Sequence, residues 1–140
     1  MLQIVTVNYW AVLVAAIVSF VIGWVWHSPI LFGKMWMKLS NIDQKKINEQ
    51  KKKGMGSAIF FQFVATLLMA YVLKYVVANA GASTALDGAL TGIWLWLGFV
   101  ATTMIGMVLW EGKPFKLYLI NAGRVLAGMI AMGAILAVWA

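Results

Sequence analysis

Few side chains in this 140-residue sequence can do chemistry, and their scarcity limits the chemistry available. There is one histidine, His27, and no cysteine. A Cys-based or multi-His metal cage therefore cannot form within one chain, nor can a bis-histidine haem site. Only four residues are acidic, most of them at loops or helix ends. That leaves no paired carboxylates for general acid–base work and no Ser-His-acid set for nucleophilic catalysis. The expectation is a protein that is not an enzyme, with no cofactor and no metal. His27, beside Ser28 and Pro29, reads as a hydrogen-bonded boundary residue, and the nine methionines as packing residues.

The polar groups inside long apolar runs are more informative. Counted at 1.5 Å per helical residue from the ends nearest the lysine-rich loops, Ser19, Thr66, Thr103 and Arg124 each lie about 12–13 Å deep. Gln62 and Asn121 form a shallower pair at about 7 Å. Hydroxyls and amides at such depths are ordinary interhelical hydrogen-bonders. Arg124 is different, because a guanidinium near mid-membrane costs on the order of 2.5–3.5 kcal/mol even on the lenient insertion scale. Three expectations stand for it. It pairs with Glu111 or with backbone and hydroxyl oxygens, or it joins Asn121 and Thr103 in holding an anion or lipid head group, or it snorkels to the lipid surface.

The elements that carry these residues follow from composition. The chain is 64% hydrophobic and 11% charged, where soluble domains are about half apolar and a quarter charged. Apolar runs at about 9–26, 57–78, 87–110 and 115–139 are each near the length that crosses a bilayer. One all-α transmembrane domain over 1–140 is expected, a four-helix bundle. The start has no cleavable signal pattern, so the first run is expected to be a retained span. Asn8 is a plausible N-cap for it, and Thr84 with Asp87 has capping-box spacing before the third.

Between the first two spans, Ser28 and Pro29 are expected to open a short helix with Ser28 as its cap. Its apolar face is Leu31, Phe32, Met35, Trp36 and Leu39, while Lys34 and Lys38 lie on another face, the pattern of a helix lying in the membrane interface. Residues 41–56 read as a solvated loop or frayed helix. Small residues recur every fourth position at Ala11, Ala15, Ser19 and Gly23, at Gly98, Thr102 and Gly106, and at Gly123, Ala127 and Ala131. Such stripes let helices approach within the bundle or between subunits, so a homo-oligomer is expected.

The formal net charge is +7. Residues 28–56 hold Lys34, Lys38, Lys45, Lys46, Lys51, Lys52 and Lys53, and the 111–116 turn holds Lys113 and Lys116. Both loops fall on one side of a four-span arrangement. By the positive-inside rule that side is cytoplasmic, with both termini outside. The lysines are expected to meet anionic lipid head groups, and no nucleic acid is expected, since the basic stretch lacks interleaved aromatics. Aromatic belts are expected from Tyr9, Trp10, Tyr71, Tyr75 and Trp139 at the outer ends and from Trp24, Trp26, Trp110, Phe115 and Tyr118 at the inner ends. Lys74 is expected to snorkel outward.

Four stretches occur in order: Trp26-His27-Ser28-Pro29-Ile30-Leu31-Phe32-Gly33-Lys34 with Trp36, Ala85-Leu86-Asp87-Gly88-Ala89, Trp96-Leu97-Gly98-Phe99-Val100-Ala101-Thr102-Thr103, and Glu111-Gly112-Lys113-Pro114 leading into Leu119-Ile120-Asn121-Ala122-Gly123. Together they resemble domain-of-unknown-function family seventeen-sixty-one, small bacterial four-helix membrane proteins. The resemblance implies that fold and a bacterial inner-membrane location, and it implies no reaction. Two functions fit the residues. One is a channel or transporter whose pathway uses the polar layers and Arg124. The other is a structural, partner-binding or lipid-binding membrane protein.

Overall fold

The computed structural model describes residues 4–40 and 44–139. Among them every regular element is helical. The first helix, α1 (Tyr9–Trp26), starts where the Asn8 side chain accepts from the backbone N–H groups of Trp10 and Ala11, at 3.0 and 3.4 Å. Two donors left over at the helix start are thereby satisfied. At its other end the Ser28 hydroxyl donates back to the Val25 carbonyl at 2.6 Å. Ser28 thus finishes α1 and does not cap the next helix, contrary to the sequence expectation. The chain turns through residues 28–32, and α2 begins only at Gly33 (Gly33–Leu39). A methyl group on Gly33 would collide with the backbone of His27 and Ser28, so this tight return needs glycine. Phe32 stacks on Trp26 at 4.8 Å, which ties the turn to the end of α1.

The lysine-rich stretch contains α3 (Gln44–Lys53), set off from α4 (Gly56–Asn79) by Gly54 at a left-handed φ of 88°. Helix α4 ends in a Schellman motif. Gly81 (φ 73°) donates to Ala78 and Ala82 donates to Val77, both at 3.1 Å. Thr84 follows and its hydroxyl accepts from the Asp87 N–H at 3.1 Å, opening α5 (Ala85–Leu109). Helix α6 (Phe115–Val138) follows Pro114. Four helices, α1, α4, α5 and α6, are long and apolar enough to cross a membrane. Large apolar side chains such as Phe60, Leu68, Val72, Trp94 and Phe99 are exposed along them, as lipid-facing residues are. This is a multi-pass membrane protein.

Helix α6 is the hub, packing against α5, α1 and α4. The α5–α6 contact is backbone on backbone. A methyl on Gly88 would strike the Gly133 carbonyl, and one on Gly92 would lie 2.5 Å from the Met129 carbonyl. These glycines, more than the small-residue stripes read from the sequence, set that approach. The buried core joins Ala11, Ala15 and Ala16 of α1, Ala70, Leu73 and Val77 of α4, and Met129, Met132 and Leu136 of α6. It fills the half of the bundle away from the lysine-rich loops. On the lysine-rich side, and between α4 and α5, the helices diverge.

The third span is not a uniform α-helix. Residues Trp96–Ala101 form a π-helical turn, which adds one residue and rotates everything after it by about 100°. Gly98, the first residue of the Gly98, Thr102 and Gly106 stripe, faces open space, for a methyl there would touch nothing. Thr102 and Thr103 are exposed, each hydroxyl donating to its own helix at Gly98 and Phe99.

Candidate functional site

Three helical faces and a short return enclose a cleft of ≈ 660 Å³ at the lysine-rich end of the bundle. Helix α1 supplies Phe20, Gly23, Trp24 and His27, an i, i+3, i+4, i+7 face. Met55, Ile59 and Gln62 repeat that spacing at the start of α4, and Asn121, Arg124 and Val125 do so on α6. Trp36 of α2 closes one side, and Met104 of α5 another. Met104 stands where a uniform helix would have put Thr103, which follows from the π turn.

Arg124 is about 13 Å inside the start of α6. Its guanidinium lies across Gly23, where a methyl group would stand 2.5 Å from both Nε and Nη2. Gly23 is therefore the seat of the guanidinium. The sequence hint was its place in the α1 stripe, which had been read only as helix packing. Among the described residues the guanidinium makes no hydrogen bond and no ion pair, and none of its nitrogens is both buried and unpartnered, so they reach the cleft. Glu111 is exposed in the turn before α6 and does not pair with it.

Two α6 carbonyls just before Arg124, one on each side of Asn121, are pinned. The Trp26 indole donates to the Ile120 carbonyl at 2.9 Å, and the Trp96 indole to the Ala122 carbonyl at 2.8 Å. The Tyr118 hydroxyl, itself buried, donates to Ala101 at the end of the π turn, at 2.8 Å. Trp26 and Tyr118 thus bridge helices instead of forming an aromatic belt, whereas Trp24 and Trp110 are exposed as a belt requires. Each bridging ring keeps one polar atom satisfied within an apolar wall, a role open to Trp and Tyr alone among the large aromatics.

Beyond Arg124 the cleft continues into a small chamber of ≈ 60 Å³ lined by Ser19, Gln62, Thr66 and Arg124, and closed by the fully buried Met132. Ser19 occupies the space that Gly128 leaves open, for a methyl there would stand 2.6 Å from the Ser19 hydroxyl. Thr66 donates to its own helix at the Gln62 carbonyl, 2.8 Å away. Of the residues expected from the sequence, Ser19, Gln62, Thr66, Asn121 and Arg124 gather around one space. Thr103 does not.

His27 and Trp36 stand at the mouth. The His27 Nδ1 is 3.1 Å from the Gly23 carbonyl, an acceptor, so Nδ1 carries the hydrogen. Its ring meets Trp36 edge-on at 5.0 Å. Trp36 therefore turns inward to line the cleft, while Leu31 and Met35 carry the exposed apolar surface of this segment. Lys34 and Lys38 are exposed beside it.

The other cation within a span behaves differently. Lys74 is 8% exposed, and its ammonium donates to the Leu136 carbonyl at 3.1 Å. That carbonyl belongs to the last turn of α6, where helix carbonyls lack intrahelical partners and the dipole favours a cation. Lys74 thus caps α6 from a neighbouring helix and does not snorkel outward as expected.

The fold and cleft define a multi-pass helical membrane protein with a cation set inside the bundle. The chain belongs to the family described as Protein of unknown function (DUF1761), whose profile matches residues 10–137. No curated protein and no solved structure matches it significantly.

Proposed function

We propose that the protein binds an oxyanion in the cleft from its lysine-rich side, with Arg124 as anchor, as part of a transporter-type role. The observation behind this reading is the guanidinium itself, seated on Gly23 inside the bundle and joined to none of the described residues. A cation at that depth is costly without a partner, and a carboxylate or phosphate offers a bidentate one. The apolar walls from Phe20, Trp24, Trp36, Ile59 and Met104 lower the local dielectric and strengthen such a pair.

A site open toward one side and closed by Met132 toward the other suits alternating access, which needs a second arrangement of the helices. The same closure supports a second reading, in which an acidic ligand is held and not moved. Binding and flux separate the two. Protein in phosphatidylcholine nanodiscs is titrated with ethyl phosphate and propionate. Wild type is expected to bind at least one, and Arg124→Gln to lose on the order of thirtyfold in affinity or more while staying monodisperse. Equal binding by the two proteins would remove the reading. Uptake by proteoliposomes of the anion that binds distinguishes movement from holding.

This reading includes an orientation, with the 28–56 and 111–116 loops in the cytoplasm and both termini outside a bacterial inner membrane. It is supported by the one-sided lysines. Ser83→Cys is expected to be labelled from outside intact cells and Glu49→Cys to be protected, and the opposite pattern reverses the orientation.

A further inference from the structure

The cleft does not end at the bundle wall. Because α5 is drawn tightly onto α6 through Gly88 and Gly92, it stands off from α4, and a groove of ≈ 490 Å³ runs between them with Met129 of α6 as its floor. One wall is α4 from Ala65 to Val76, and the other is Leu95, Phe99 and Val100 of α5. Ala65 and Met69 line both this groove and the small chamber at Arg124. Gln62, Arg124 and Val125 line both that chamber and the cleft. The three spaces therefore share walls in sequence along α4, from polar to apolar.

We propose that together they form one lateral site for a long-chain oxyanion, its carboxylate or phosphate head on Arg124 and its acyl chain along the α4–α5 groove. This rests on the anion-binding reading above and names the class of ligand. Two observations commit the groove to this occupant. Charge complementarity fixes the head at Arg124, the one polar end of an otherwise apolar path. Length fits the tail, for the eleven steps from Ala65 to Val76 span about 16 Å, close to half of the about 30 Å hydrocarbon core. With Arg124 about 13 Å inside the start of α6, the head group would be drawn through the cleft to near mid-membrane. The tail would run along the half of α4 away from the lysine-rich loops, keeping the head-to-tail direction of an amphiphile of the lysine-rich leaflet but not its ordinary depth.

The test uses dodecyl phosphate, dodecanoate, ethyl phosphate, propionate and the uncharged dodecanol on protein in phosphatidylcholine nanodiscs, read by native mass spectrometry and tryptophan fluorescence. Leu68→Trp and Val72→Trp fill the groove from positions exposed on the wild-type surface, so both are expected to fold. Each should weaken the dodecyl anion by about tenfold or more, given about 0.8 kcal/mol per buried methylene, and leave the short anion unchanged. Arg124→Gln should weaken both. Whichever dodecyl anion binds names the head group. If short anions bind and neither groove variant affects the long ones, the tail lies outside the groove and this inference falls while the anion site stands. Dodecanol binding as tightly as the dodecyl anions also overturns it, since the head would then contribute nothing. If wild type binds no anion of either length, both readings fall together.

Discussion

Lys74 and Arg124 are the two cations carried more than a turn inside the spans, and they stand in opposite halves of one bundle. Lys74 sits in the close-packed half, among α1, α4 and α6, and its ammonium meets the Leu136 carbonyl in the last turn of α6. Arg124 sits in the open half, over a glycine, with polar neighbours on α4 and α6 and no partner among the described residues. The cost of desolvating Lys74 is met by the fold itself, through a helix end that needed a donor. The cost for Arg124 is not met in that way. A cation satisfied by backbone serves stability, and one left facing a cleft is available to a ligand.

Breaking the Lys74 side of this contrast should have the larger effect on stability. Lys74→Met keeps the length of the side chain and removes its donor. The Leu136 carbonyl then loses its partner, so the detergent-solubilised protein should be destabilised by about 1–3 kcal/mol. Anion affinity at the cleft should not change. A thermal midpoint unchanged from wild type would mean that the ammonium contributes nothing to holding α6.

A smaller effect is expected at the seat of Arg124. Gly23→Ala places a methyl against the guanidinium, which is the far end of a flexible side chain and can swing away. Stability should therefore be nearly kept, while anion binding weakens by up to about tenfold, or about 1.4 kcal/mol, as the head group loses its aligned partner. If instead stability collapses and the residual folded protein binds normally, Gly23 serves helix packing alone.

The contrast between the two cations was only half visible in the sequence. The four spans were legible because hydropathy over about 20 residues is a long, redundant signal. The Thr84 cap was legible because capping is local, and the gathering of Ser19, Gln62, Thr66, Asn121 and Arg124 because depth can be counted along straight helices. Thr103 went wrong for one reason. The π turn at Trp96–Ala101 inserts a residue, and no local motif announced it. The partner of Lys74 was hidden because it is a backbone carbonyl 62 residues away, and no side-chain pattern marks it. Gly23 was seen as a small residue, but what it makes room for depends on α6 lying antiparallel beside it.

The smallest expected effect concerns Glu111, the acidic residue that sequence spacing offered as a partner for Arg124. It is exposed in the turn before α6, and the guanidinium lies over Gly23, deep in the bundle. Two groups that do not touch should act independently. In a double-mutant cycle on thermal or chemical stability, Arg124→Leu and Glu111→Gln should add to within about 0.3–0.5 kcal/mol, the range for distant sites. Arg124→Leu alone should not lower stability, because it strands no buried partner and removes a desolvated charge. A buried ion pair would behave otherwise. Each single change would cost about 3–5 kcal/mol by leaving its partner unpaired, and the double change would cost much less than the sum. Such coupling would mean that the fold does satisfy Arg124, in another arrangement of α6 and the turn before it. The distinction between the two cations would then be lost, and with it the case for a ligand at the cleft.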